Sequence, residues 1–323
     1  MATQTLIQPT PYQGEADLQA IADLYNACDA VDRFDQGTSP AELNEDYADP
    51  DFDLSQDLRL WRNEDGSLLA VGSVWRPVPD TKVQGHLSLK VHPDRRYQGL
   101  EEQIITWAEA RLLEAAQGLN LPVQIDVGFY DSQTELIDLS QRQGFSPTRY
   151  FFRMIRSLVE PIPDSTLPEG FTLRPVHAEQ DAEAWVEMFN QSFIDHWNHH
   201  DLTLRDFHYY CSLSFYRPEL NLLAVAADGT FAAFCESNIF PEDNARTGRL
   251  EGWVGVLGTR RGFRRWGLGR AMLLAGLRAL QNAGMETALL GVDADNPSGA
   301  LGLYQSVGFQ QMRRSIVLRK QLT

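Results

Sequence analysis

Arg260, Arg261, Arg264, Arg265 and Arg270 fall within eleven residues, with Gly267 and Gly269 among them. No Asp or Glu occurs between Glu251 and Glu286. Guanidinium groups make charge-assisted hydrogen bonds to phosphate. Glycines let an anion approach the backbone, and the first N–H groups of a helix have no intrahelical partner. The run lies between an apolar strand pattern at 250–259 and a long helical pattern at 267–283. A strand, a glycine turn and a helix start form a phosphate cradle. The same residues also read as a solvated basic helix start.

The rest of the chain has the opposite charge. Its 323 residues carry 28 basic and 44 acidic side chains, a net charge of −16. That balance argues against tracking along nucleic-acid phosphates. Residues 1–160 hold most of it, at −13, and residues 161–323 hold −3. Ten acids lie from Asp29 to Asp57, with Arg33 the one base among them. They form either a field for a polycationic amine or a solvated acidic face. Cys28, Cys211 and Cys235 form no CxxC pair and no disulfide framework. No apolar run reaches the roughly 18 residues of a membrane span, and the first residues have no signal-peptide pattern. A cytoplasmic protein without membrane contact is expected.

The elements around the cradle occur twice. Three prolines, Pro161, Pro163 and Pro168, mark a linker. After it come a strand, helices at 178–197 and 203–214, and strands at 220–227 and 230–239 joined by Asp228-Gly229. A strand, the long helix, a strand, a short helix and a last strand at 310–319 follow. Residues before the linker repeat this order. Gly144-Phe145 matches Gly308-Phe309 at an offset of 164, and Arg96 matches Arg264 at 168. The chain reads as a duplicated α/β domain, with domains at 1–158 and 170–323 and a linker at 159–169.

Arg264-x-x-Gly267-x-Gly269 resembles the acetyl-CoA signature of the GCN5-related N-acetyltransferase family, Q/R-x-x-G-x-G/A. The likeness continues in Asn296-Pro-Ser-Gly-Ala-Leu-Gly-Leu-Tyr304 and in Gly308-Phe309, and the whole chain is similar to tandem-domain members. Asp195-His196-Trp197 also looks like a segment of tandem bacterial members. The implied fold is α/β (α+β): tandem domains, each a central mixed, splayed sheet flanked by helices. The resemblance implies acetyl-CoA as co-substrate, with pantetheine along Leu257, Gly258 and Thr259. The pyrophosphate would lie on Arg264, Arg265, Trp266, Gly267, Leu268, Gly269 and Arg270. Asn296 and Ser298 would line the coenzyme opposite. It further implies a small-molecule amine acceptor that attacks the thioester directly, and a monomer or homodimer.

Tyr304 matches the family's tyrosine acid, four residues before Gly308. Glu251 is the candidate base, on one strand face with Trp253 and Gly255. It stands two residues earlier than the strand glutamate of relatives, and Glu236 on the preceding strand is the alternative. His196, His199 and His200 with Asp195 and Asp201 lack a fixed third ligand, so no metal is expected. In the first domain Glu101 replaces the last glycine or alanine of the signature and Ser140 replaces the tyrosine. That half is expected to be catalytically inert. The functional reading is an N-acetyltransferase acting from the second domain. A coenzyme-binding pseudoenzyme or partner-binding module is the other.

Overall fold

The computed structural model describes residues 6–164, 166–197, 200–296 and 299–323. They form two compact units. One runs to Arg149 and includes Ile316–Thr323; the other is Tyr150–Ser315.

The first unit contains β1 (Thr10–Pro11), α1 (Glu15–Asp32), α2 (Pro40–Asp46), α3 (Leu54–Asp57), β2 (Leu58–Arg62), β3 (Leu68–Trp75), β4 (Val83–Val91), α4 (Leu100–Ala115), β5 (Val123–Tyr130) and α5 (Thr134–Arg142). Strand β6 (Ser146–Ser157) begins here and ends in the second unit. Strands β1 to β4 pair antiparallel in order, and β5 joins β4 parallel. Residues 316–321 lie beside β5: Leu322 N–H donates to the Val123 carbonyl at 2.8 Å, and Arg319 grips Asp126 at 2.6 and 2.7 Å.

The second unit repeats the plan with β7 (Phe171–Pro175), α6 (Ala178–Phe193), α7 (Leu204–Ser212), β8 (Asn221–Ala226), β9 (Phe231–Asn238), α8 (Pro241–Thr247), β10 (Glu251–Thr259), α9 (Leu268–Asn282), β11 (Thr287–Asp293) and α10 (Ala300–Ser306). Strand β12 (Gln310–Gln321) begins here and ends in the first unit. Strands β7 to β10 pair antiparallel, β11 joins β10 parallel, and residues 151–157 of β6 run antiparallel to β11. The division therefore differs from a linear cut at 158 and 170. Each sheet takes the strand beyond its parallel pair from the other half of the chain.

Local sequence explains the elements that matter here. Leu222–Ala224 and Phe231–Cys235 are continuous apolar runs, as strands covered on both faces require. Asp228-Gly229 turns the hairpin, with Gly229 at φ 88° and Asp228 Oδ1 accepting the Thr230 N–H at 2.9 Å. Thr203 and Asp206 form a capping box at the start of α7. Helix α9 buries most of its circumference and lies close on β9. A Cβ on Gly276 would stand 2.5 Å from Cys235 Sγ. Helix α8, short and polar after Pro241, carried no periodic signal. Among the described residues no helix is long and apolar enough to cross a membrane.

Candidate active site

The parallel strands β10 and β11 pair from Glu251–Thr287 to Val254–Leu290 and no further. Beyond that point β10 stays with β9 and β11 stays with β6. The two strands therefore part. Gly255 and Gly291, next in each, are exposed, and a Cβ on Gly291 would meet nothing within 4 Å. Neither strand therefore places a side chain of its own where they part.

A bulge coincides with the parting. Ser237 pairs with Val254, but Glu236 pairs with Val256, so Gly255 is the extra residue. The bulge reverses the strand's alternation. Gly252 faces Leu280 of α9 before it, and Thr259 faces the same helix after it, with Oγ1 3.6 Å from the Cβ position of Gly269. Leu257 packs toward the α9 core, while Gly258 lies under Phe234, whose Cε1 would be 2.2 Å from an added Cβ.

Glu236 faces the bulge. A Cβ on Gly255 would lie 3.1 Å from Glu236 Oε1 and 2.9 Å from Asn238 Nδ2. Glu236 is 7% exposed, and burial pushes its carboxyl up to about 7, against weaker downward pulls from Tyr210 and Asn238. Tyr210 Oη donates to Asn238 Oδ1 at 2.9 Å, and Asn238 Nδ2 donates to Glu236 Oε1 at 3.4 Å. Glu251 is placed elsewhere. It starts β10, four residues before Gly255, and its carboxylate takes the Arg249 guanidinium at 2.8 Å. At about 3.3 Å per residue that is roughly 13 Å of strand, so the structure does not bring Glu251 to the opening.

Tyr304 lies in the middle of α10, 7% exposed, its ring 6.0 Å edge-on from Phe309. Burial raises its hydroxyl well above the usual range, with the nearby Cys235 thiol adding to the effect. Asn296 sits in the turn between β11 and α10, its N–H donating to the Asp293 carbonyl at 3.2 Å. Ser298 lies outside the described residues, as does His199.

The arginine loop divides into two groups. Arg264 reaches inward to Asp195 Oδ2 and the Ser192 carbonyl, both at 2.8 Å, and to the Thr259 carbonyl at 3.4 Å. Arg261 also binds Asp195, and Arg260 binds Glu187 at 2.6 Å. The Arg264 and Arg261 guanidiniums hold the Asp195 carboxyl below the usual range. Asp195 thus ties the loop to the end of α6. Opposite charge in the two segments was the sequence signal for that tie. Among the described residues, Arg265 and Arg270 carry no ion pair and both are exposed. Arg265 at φ 68° and Gly267 at φ 86° turn the loop into α9, which has no side-chain cap and no acid in its first turn. The N–H groups of Leu268, Gly269 and Arg270 therefore face out from a bare helix start. Trp266 is 58% exposed and its ring leans on Phe171 and Phe263 at 6.0 and 6.1 Å.

The first unit has the same loop, differently filled. Tyr97 at φ 60° and Gly99 at φ 96° match Arg265 and Gly267. Arg96 pairs bidentately with Asp32 at 2.7 and 2.8 Å. Glu101 is fully buried in the loop, and its Oε1 accepts the Tyr97 N–H at 2.9 Å. The β3–β4 register is regular, with no bulge. Among the described residues no group of three or more His, Cys, Asp or Glu side chains is placed to hold a metal ion.

A splayed parallel pair, a bulge at its mouth and a bare glycine-rich helix start define an α/β fold with an anion-binding helix N-terminus beside an open strand edge. The pattern of the acetyltransferase (GNAT) family matches residues 182–309. A mycothiol acetyltransferase of Paenarthrobacter aurescens is 32% identical over 227 residues, 70% of this chain and 67% of that protein. A GCN5-related N-acetyltransferase from Sphaerobacter thermophilus superposes with a TM-score of 0.77 at 27% identity, covering 97% of this chain and 95% of that one. A tandem GNAT protein of the clavulanic acid biosynthesis pathway shares the fold, with a TM-score of 0.69 at 14% identity and 98% of each chain covered. The chain belongs to the GNAT acetyltransferase family and has its tandem fold. It is an N-acetyltransferase, and the family uses acetyl-CoA.

Proposed function

We propose that the second unit transfers an acetyl group from acetyl-CoA to a primary amine of a small-molecule acceptor. The observation that carries this is Glu236, a buried carboxyl facing a side-chain-free bulge at the mouth of the splayed strands. Relatives named mycothiol acetyltransferase make the amine of a mycothiol-type amino-sugar thiol the first acceptor to test.

The residues present fit the coenzyme. Arg265, Arg270 and the N–H groups of Leu268, Gly269 and Arg270 hold the pyrophosphate. Arg264 holds the loop through Asp195 rather than touching the phosphates. Leu257, Gly258 and Thr259 offer backbone groups on the open edge of β10, and Asn296 borders the other side. Acetyl-CoA supplies an activated acyl group whose C–S bond breaks as the amine nitrogen bonds to the carbonyl carbon.

Glu236 takes the proton that the acceptor's ammonium must lose, and passes it to water. Its affinity near 7 suits it to accept that proton at neutral pH. Backbone at Gly255, the residue the bulge leaves without a partner in β9, donates to the carbonyl oxygen as it gains charge. Tyr304, protonated at every working pH, gives a hydrogen bond to the leaving sulfur without ionising itself. Glu251, paired with Arg249, stabilises the start of β10. The first unit lacks the bulge, the bare helix start and the tyrosine, which supports placing the reaction in the second.

A calorimetric titration with acetyl-CoA, repeated on Gly267→Glu, tests the reading. One site per chain, weakened at least tenfold in the variant, is expected, with thiol release when an amino-sugar thiol is added. A site unchanged by Gly267→Glu would move the coenzyme away from α9 and overturn the assignment.

A further inference from the structure

The base stands on β9, but one of the groups that hold it comes from a different element. Tyr210 lies near the end of α7, and its hydroxyl reaches Asn238 Oδ1 at 2.9 Å. An amide whose oxygen accepts that bond must present its nitrogen the other way. Asn238 Nδ2 accordingly faces Glu236 Oε1 at 3.4 Å and lies 2.9 Å from where a Gly255 Cβ would be. Tyr210 is itself fixed by rings, edge-on to Tyr216 at 5.4 Å and to Phe215 at 6.2 Å.

We propose that Tyr210 is a positioning residue: through Asn238 it aims the Glu236 carboxylate at the bulge, so that α7 governs the proton-accepting group. This inference rests on Glu236 as base. The geometry gives a direct reason for the arrangement. A buried carboxylate with no donor would stay protonated, and one paired with a cation would be a poor base. One neutral donor, the Asn238 amide held in place by the Tyr210 phenol, keeps the affinity between these extremes. The titratable groups facing Glu236 are Tyr210, Cys211 and Tyr216 from α7 and the turn after it, while neighbouring Cys235 points to the α9 face; none is cationic. Gly255 contributes no side chain from β10.

Tyr210→Phe keeps the ring and removes the hydroxyl. Its test needs no acceptor: the protein is labelled with carboxyl-13C glutamate and titrated by NMR, with Glu236→Gln assigning the resonance. The wild-type midpoint is expected near 7. In Tyr210→Phe it rises by about one unit, because the Asn238 amide, no longer held by the phenol, donates less well to the charged form. In turnover assays with an amino-sugar thiol, that shift appears as a loss of about tenfold at pH 6 and little loss at pH 9. A merely structural tyrosine would lower activity equally at every pH and leave the midpoint in place. An unmoved midpoint in a folded Tyr210→Phe protein overturns the inference while leaving Glu236 as base. Full activity in Glu236→Gln overturns the base itself.

Discussion

Glu236 carries two pH dependences of opposite consequence. As the proposed base it must be ionised, so kcat/KM of the wild type is expected to fall about tenfold per unit below pH 7. Glu236→Gln should lower the rate at pH 8 by about 10²–10⁴ and flatten that limb. For stability the sign reverses. The folded carboxyl titrates at about 7 against 4.5 for an unburied one, so ionising it opposes folding. Stability is complete below pH 4.5 and declines as pH rises through 7. Relative to wild type, Glu236→Gln should therefore gain nothing below pH 4.5 and up to about 3 kcal/mol above 7. Urea midpoints measured from pH 4 to 9 check this. A less active protein that is more stable only at high pH separates a destabilising functional carboxyl from a structural one. A midpoint difference that does not vary with pH would contradict the burial argument.

Strand β10 shows which parts of a site an element can announce in its sequence. Its apolar pattern and the glycines after it were legible, because periodicity and φ preference are local properties. The arginine loop was legible as a cluster, though not its division into anchoring and exposed members, which depends on where Asp195 ends α6. The bulge at Gly255 was not legible. It is a mismatch of one residue between two strands, and neither strand carries it alone. The expectation of a base at Glu251 follows the strand face that alternation indicates, whereas the register turns Glu236 of the neighbouring strand toward the bulge, which is why Glu236 is the base we propose. Gly255→Ala tests the bulge. The added Cβ would stand 2.9 Å from Asn238 Nδ2 and 3.1 Å from Glu236 Oε1, both buried and hydrogen-bonded, so stability should fall by about 1–3 kcal/mol. Both side chains must move aside, and kcat should fall at least tenfold, with coenzyme affinity unchanged by titration. Equal losses in coenzyme binding and turnover would show that the substitution disturbs the whole strand.

At the scale of the molecule, duplication explains why one plan occurs twice, but not where each copy ends. The prolines at 161–168 separate two similar sequences, and the natural cut lies there. The sheets do not respect it, because the strand beside β5 is residues 316–321 and the strand beside β11 is residues 151–157. Ile316 and Leu318 belong to the first unit's core, with Leu318 fully buried among residues such as Val123, Ile125 and Phe145. Residues 316–321 therefore stabilise the first unit, from which the linker separates them in sequence. Leu318→Ala should cost about 2–5 kcal/mol, the range for truncating a buried leucine. Its effect should appear as faster amide exchange in β4 and β5, although the substitution lies only five residues from the C-terminus. Exchange in β9 and β10, which pair with each other, with β8 and with residues 287–290 but not with residues 316–321, should change much less. If β9 and β10 instead lose protection first, the core around Leu318 is not the first unit's own. A fragment ending at residue 158 lacks the strand beside β5 altogether, so cutting at the linker should yield an incompletely folded first half.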